Sequence, residues 1–380
     1  SFIDMSDIQN LDLLFVDEEA LNITELPNGE ILHTWDIKEF LPLNINFKSF
    51  DTSNVTSMQG TFAGVALYGD INKLDVSKVT NMNYLFSKAI FKDPKINLND
   101  WDVSKVKNMA FMFKQAKLHN NITLNNWDVS NVTSMEGMFN EATNISKLDI
   151  NNWDVSNVTD MSGMFSKARD FNSNLSKWNV TNVKNMSYMF AGAINFNHDL
   201  SKWNVSNVTD MSCMFGYAES FNSDLSKWNV SSVTNMRCMF ANAIYFNSDL
   251  SKWDVSKVTD MSSMFTNTPK FNSDLNNWNV SNVTNMNCMF SFAGSFNSNL
   301  SNWNVSKVTD MSCMFSFTRI SNCDISNWDV SSVTDMSGMF ELALNFNSDL
   351  RNWDVSQVLY HENMFYGASK FNEEYYPRFR

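Results

Sequence analysis

Very little in this chain could serve small-molecule chemistry. Glycine is scarce, 11 of 380 residues, which leaves few places for backbone to cradle a phosphate. His33, His119, His198 and His361 are scattered, and with no C-x-x-C and no H-E-x-x-H they cannot supply repeated metal sites. No nucleophile–histidine–acid arrangement is visible, so the chain reads as a non-enzyme with no cofactor. Isolated carboxylates abound, but inside a repeat a poised acid–base pair looks the same as solvated side chains. No apolar run approaches the roughly 18 residues of a membrane helix. The opening SFIDMSDIQN lacks the basic and apolar regions of a signal peptide. Basic residues number 28 against 41 acidic ones, a net charge of -13, which argues against nucleic acid and anionic membrane as partners.

What is present is a repeat. Tryptophan recurs at 101, 127, 153, 178, 203, 228, 253, 278, 303, 328 and 353, inside phrases such as FNSDLSKWNVSSVTNMRCMF. Two degenerate units come first, with Phe50 and Leu74 in the tryptophan slot, which makes thirteen coils over residues 50–372. A fixed period in this range implies a solenoid whose units bury their apolar faces against one another. Residues 1–49 and 373–380 then act as caps. Within the first cap, Pro27-Asn28-Gly29 between two alternating runs predicts a hairpin.

One unit suffices to predict the coil. Leu175, Trp178 and Val180 have the L-x-x-W-x-V spacing of a short repeat strand. Val183, Met186, Met189, Phe190 and Ala193 follow at helical steps and predict a short helix. Ser or Thr three residues after the Trp, and Asn or Asp seven after, would cap it. The fold class expected is therefore α/β: a right-handed, leucine-rich-repeat-like solenoid with a parallel sheet on one face and helices on the other. The Trp, Met and Phe ladders read as core rather than as a sugar-binding strip or an adaptable groove. Near Thr318–Cys323 the return segment loses its Phe, and an irregularity is expected there.

Cys213, Cys238, Cys288 and Cys313 share the slot ten residues after the Trp, with Ser263 between the pairs. In-register side chains point the same way, which strains a bridge, so all five cysteines are expected to be free thiols.

Polar residues flank each tryptophan. Lys177, Lys202, Lys227 and Lys252 precede it and form a local basic stripe; Asn179, Asn204, Asn229 and Asp254 follow it. On a solenoid these slots would tile the concave sheet and contact a ligand. They could equally solvate that face and bridge adjacent coils. Isolated Asp160, Asp210 and Asp260 are weak evidence for calcium, and helix capping explains them better.

The phrase FNxDLSxWDVSNVTDMSxMF resembles the repeats of BspA-like leucine-rich-repeat surface proteins, including the lipoprotein-associated repeats of mycoplasmas. The resemblance implies a surface-exposed or secreted interaction protein, adhering to a protein or glycan on a host or neighbouring cell. It implies no catalytic residues and no common ligand. The alternative is a structural or assembly spacer, on a cell surface or in a virion, whose ends make the contacts.

Overall fold

The computed structural model describes residues 7–16, 21–25, 31–35, 40–44, 47, 50–321 and 323–379, and it falls into two compact units, Ser1–Asn179 and Val180–Arg380. The first unit opens with β1 (Leu21–Glu25) and β2 (Ile31–Trp35), paired antiparallel from Leu21↔Trp35 to Glu25↔Ile31. These are the arms of the expected hairpin; its Pro27-Asn28-Gly29 turn lies outside the described residues. Three short strands, β3 (Leu41–Leu43), β4 (Val65–Leu67) and β5 (Ile90–Phe91), make a small parallel sheet in the order β3-β4-β5. Single parallel bridges, Ile90↔Lys117 and Lys117↔Thr143, continue its last edge.

The expected helices are absent. Among the described residues there is no α-helix; 3-10 conformation occurs at Phe47 and over Glu373–Tyr375. The stretch from eight to fifteen residues after each anchor is instead a string of tight turns. In the second unit the N–H groups of Met211, Cys213, Phe215 and Tyr217 donate to the carbonyls of Asn235, Arg237, Met239 and Ala241, at 3.1, 2.7, 2.9 and 2.7 Å. The intervening Met214, Gly216 and Ala218 donate back three residues, to Met211, Cys213 and Phe215. In the first unit Met58, Gly60, Phe62 and Gly64 donate in the same way to Asn81, Asn83, Leu85 and Ser87. A helix would send every one of these N–H groups four residues back within its own segment.

The left-handed residues make this path possible. The slots ten and fourteen residues after the anchor have φ between 51° and 71° in every coil, from Gly60 and Gly64 to Asn363 and Gly367. Spacing explains why this path displaces the helix. Consecutive Phe rings of the ladder stack with centroids 5.3–5.8 Å apart, from Phe62–Phe86 to Phe113–Phe139 in the first unit and from Phe190–Phe215 to Phe340–Phe365 in the second. Helices pack no closer than about 8–10 Å axis to axis. Main-chain bonding between neighbours through this segment and a helix formed by the same residues are therefore incompatible.

The L-x-x-W-x-V segment is not a strand either. The Trp203 N–H donates to the Leu200 carbonyl three residues back, and Val208 to Val205, so the segment turns instead of pairing. Parallel bridges occur seven residues after the anchor, as in Asn185↔Asp210 and Asp210↔Asn235. The Asp and Asn side chains there cap turns rather than helices: Asp210 Oδ1 accepts the Ser212 N–H at 2.8 Å. Each unit is thus a repeat structure with few helical residues and short parallel pairings, compatible with a solenoid.

Core assignment survives the change of backbone, because side-chain direction was set by the apolar pattern. Leu175, Val183, Met186, Met189 and Phe190 are each 0% exposed, and the repeat tryptophans 2–4%. The ring N–H of Trp228 donates to the Leu200 carbonyl, 28 residues earlier, at 3.0 Å. Trp101 begins the ladder, and its Nε1 is buried without a partner. The irregularity near residue 320 is a slip of one residue. Ile320 takes the buried place that Phe296 fills one coil earlier, and the Ser321 N–H binds Asn297 Oδ1 as the Asn297 N–H binds Asn272 Oδ1. Cys323 then fills the buried serine slot, where burial pushes its thiol up to about 12.

Candidate functional site

The polar residues around each tryptophan separate into committed and available groups. Asn204, Asn229 and Asp254 are exposed, yet each closes a local turn, accepting the N–H of Ser206, Ser231 and Ser256 at 3.2, 3.1 and 3.0 Å. Turn closure explains why Asn or Asp recurs there. These slots lie on turns, not on a sheet, which corrects the expected concave β-face. Asn179 is exposed, at the end of the first unit.

The four lysines are divided between the two units. Lys177 belongs to the first unit, where its Nζ donates to Asn152 Oδ1 at 2.9 Å. Lys202, Lys227 and Lys252 occupy the same exposed slot of successive coils in the second unit. Each faces a carboxylate of its own turn: Lys202 near Asp199, Lys227 near Asp224, Lys252 near Asp249. The Ser226 hydroxyl and N–H hold the Asp224 carboxyl below its usual range, with Lys227 adding to the effect, and Asp199 and Asp249 have the same kinds of partner. The basic row therefore runs beside an acidic row, and the two largely cancel at a distance.

A third row completes the face. Asn222, Asn247 and Asn272 are linked from coil to coil, each side-chain oxygen accepting the N–H of the next: Asn247 to Asn222 at 2.8 Å, Asn272 to Asn247 at 3.0 Å. Their Nδ2 groups have no partner among the described residues. Further along the same slots, Asn272, Ser273, Asp274, Asn297, Ser298 and Asn299 line a shallow groove of about 280 Å³. Two successive coils thus repeat an amide donor, a carboxylate acceptor and an ammonium, Asn222, Asp224 and Lys227 and then Asn247, Asp249 and Lys252, whereas the next two carry Asn277 and Asn302 in the lysine slot. Sequence reasoning weighed the lysines and the residues flanking each Trp. It passed over the Asn and Asp six and four residues before the Trp, although the FNSDLSKW phrase displays them before Trp228 and Trp253.

No group of three or more His, Cys, Asp or Glu among the described residues is placed to hold a metal ion. No helix there is long and apolar enough to cross a membrane.

Coil-to-coil main-chain bonding, internal aromatic ladders and one polar row per slot define a repeat protein. The chain belongs to the family described as a Mycoplasma protein of unknown function, DUF285, which matches residues 35–148, 144–251, 223–321 and 298–377. No curated protein and no solved structure matches it.

Proposed function

We propose that each unit is a right-handed solenoid of 25-residue coils, and that the chain is a non-catalytic, surface-exposed or secreted binding protein that holds a protein or glycan of a host or neighbouring cell. The observation that carries this reading is the repeated triple of Asn222, Asp224 and Lys227 with Asn247, Asp249 and Lys252, exposed and regularly spaced on a scaffold fixed by main-chain bonds. A ligand with its own repeat, meeting donor, acceptor and cation in both coils, would gain contacts without ordering the protein. The resemblance of the repeat phrase to BspA-like surface repeats supports the same reading. Because the lysine and carboxylate rows offset each other, recognition rests on short-range hydrogen bonding more than on long-range steering.

The test is adhesion of the full chain to epithelial cells and to a glycan array, with and without Lys202→Glu, Lys227→Glu and Lys252→Glu together. Retention falls at least tenfold in the triple variant, whereas the control Lys177→Glu leaves it unchanged. Undiminished binding by the triple variant, or no binding by the parent chain, overturns the proposal.

One observation favours the assembly reading instead. In the last coil the N–H groups of His361, Asn363, Phe365 and Gly367 have no acceptor among the described residues, while the equivalent Met336, Gly338, Phe340 and Leu342 all donate to the following coil. The closing segment lies against this coil, Phe379 on His361 at 4.1 Å and Tyr376 on Phe365 at 4.6 Å, so a further chain that presents carbonyls would pair here by displacing it. If it does so, sedimentation grows with concentration and these four amides become protected from exchange.

A further inference from the structure

The slot ten residues after the tryptophan carries chemistry that the binding reading does not use. In the second unit it runs Tyr188, Cys213, Cys238, Ser263, Cys288, Cys313 and Gly338. The five cysteines are free, and these four are half-buried. The Cys213 N–H donates to the Arg237 carbonyl at 2.7 Å, and the Cys288 N–H to the Ser312 carbonyl at 2.8 Å, so each pair of neighbours is held in register by main chain. The thiols of each pair occupy the same slot of adjacent coils and act on one another, Cys213 on Cys238 and Cys288 on Cys313. The Tyr188 hydroxyl contacts Cys213 on one side, and Arg237 and Ser263 contact Cys238 on the other. Sulfur reaches the next coil in this slot, since a Cβ on Gly338 would stand 3.2 Å from Cys313 Sγ.

We propose that Cys213–Cys238 and Cys288–Cys313 are two binding sites for a soft, two-coordinate monovalent cation such as Cu(I). In-register residues of adjacent chains lie about 4.8 Å apart. A disulfide would draw the sulfurs to about 2.05 Å against two parallel side chains. Two metal–sulfur bonds of about 2.3 Å placed in line span about 4.6 Å, which side chains of coils stacked at the 5.7–5.8 Å of their Phe rings reach with far less distortion than a disulfide needs. Thiolates prefer soft ions of this kind. Binding transfers no electron: two S–M bonds form and the thiol protons pass to solvent, leaving a bis-thiolate complex of charge -1. At the first pair the Arg237 guanidinium offsets that charge. At the second pair Asp310, Asp335 and Glu341 are the charged neighbours, and they oppose it. The first site is therefore the tighter one.

The test is an anaerobic titration of the reduced full chain against a chromophoric Cu(I) chelator. Two equivalents are withdrawn per chain, in two phases. Cys238→Ser removes the tighter phase, Cys313→Ser the weaker one, and Cys323→Ser neither. Arg237→Gln weakens the first phase about tenfold. Cys238→Ser and Cys313→Ser keep the fold, because Ser263 already occupies their slot with φ of 56°, and Cys323→Ser restores the serine that the equivalent Ser298 and Ser348 supply. Withdrawal of fewer than two equivalents overturns the proposal, as does a tight phase that survives Cys238→Ser. So does loss of four thiols to disulfides when the protein is treated with glutathione disulfide and no metal.

Discussion

Replacing Gly137 by alanine should cost far more than the same change at Gly163, although both occupy the same slot of adjacent coils. Their φ angles are nearly equal, 53° and 59°, so the left-handed penalty for a Cβ is common to both. That penalty is about 1–2 kcal/mol. Reduced freedom of the unfolded chain offsets roughly 0.4–1 kcal/mol of it. Surroundings differ sharply. A Cβ on Gly163 meets only Ser166 Cβ, at 3.9 Å, whereas on Gly137 it falls 2.4 Å from both Cδ1 and Cε1 of Phe111. The Phe111 ring is stacked on Tyr84 at 4.8 Å, with Lys114 Nζ 5.2 Å from its centroid, so it cannot retreat freely. Overpacking of that kind adds about 1–3 kcal/mol. The expected loss is about 1 kcal/mol for Gly163→Ala and about 2–4 kcal/mol for Gly137→Ala. Urea denaturation of both variants, and of each combined with Phe111→Ala, measures the coupling directly. Equal losses, or no coupling between positions 111 and 137, would refute the stacked-slot geometry.

Other consequences are open to measurement. Trp228→Ala should lower the melting temperature more than Trp353→Ala, because a central coil has neighbours on both sides; removing a large buried aromatic costs about 3–5 kcal/mol. Equal losses at the two sites would argue against nearest-neighbour stacking. Far-ultraviolet circular dichroism should lack a helical signal, since turns replace the helix in every described coil. Five thiols should titrate in the denatured, unreduced protein. In the native protein alkylation should reach Cys238 first. A neighbouring thiol's hydrogen bond places it at about 6, so its reaction stays near maximal above pH 7 and falls away below pH 6. Cys313, at about 7, follows it, and Cys323, buried and raised to about 12, stays unreactive. Mass-spectrometric peptide mapping that finds Cys323 labelled before Cys238 would contradict these environments.

The repeat phrase by itself determined which side chains go inside. Leu, Trp, Val, Met and Phe recur at fixed slots, and burying apolar surface against an identical neighbour satisfies that pattern whatever the backbone does between them. The irregular coil near Ile320 and the free cysteines were legible for the same reason: each is a departure from, or a consequence of, strict register. Hydrogen bonding was decided only by tertiary structure. The steps from Val183 to Ala193 fit a helical face and a run of tight turns equally well, since both place the same residues inward. Main-chain contact between coils, at a spacing too close for helices, selects the turns and forces residues such as Cys213 and Tyr217 into left-handed backbone. No local propensity announces that outcome, because most residues in those two slots are not glycine. The candidate site divides along the same line. Exposure of Lys202, Lys227 and Lys252 could be read from the phrase. Which polar atoms remain free, the Nδ2 groups of Asn222 and Asn247 rather than the oxygens of Asn204 and Asn229, depends on bonds that exist only once the coils are stacked.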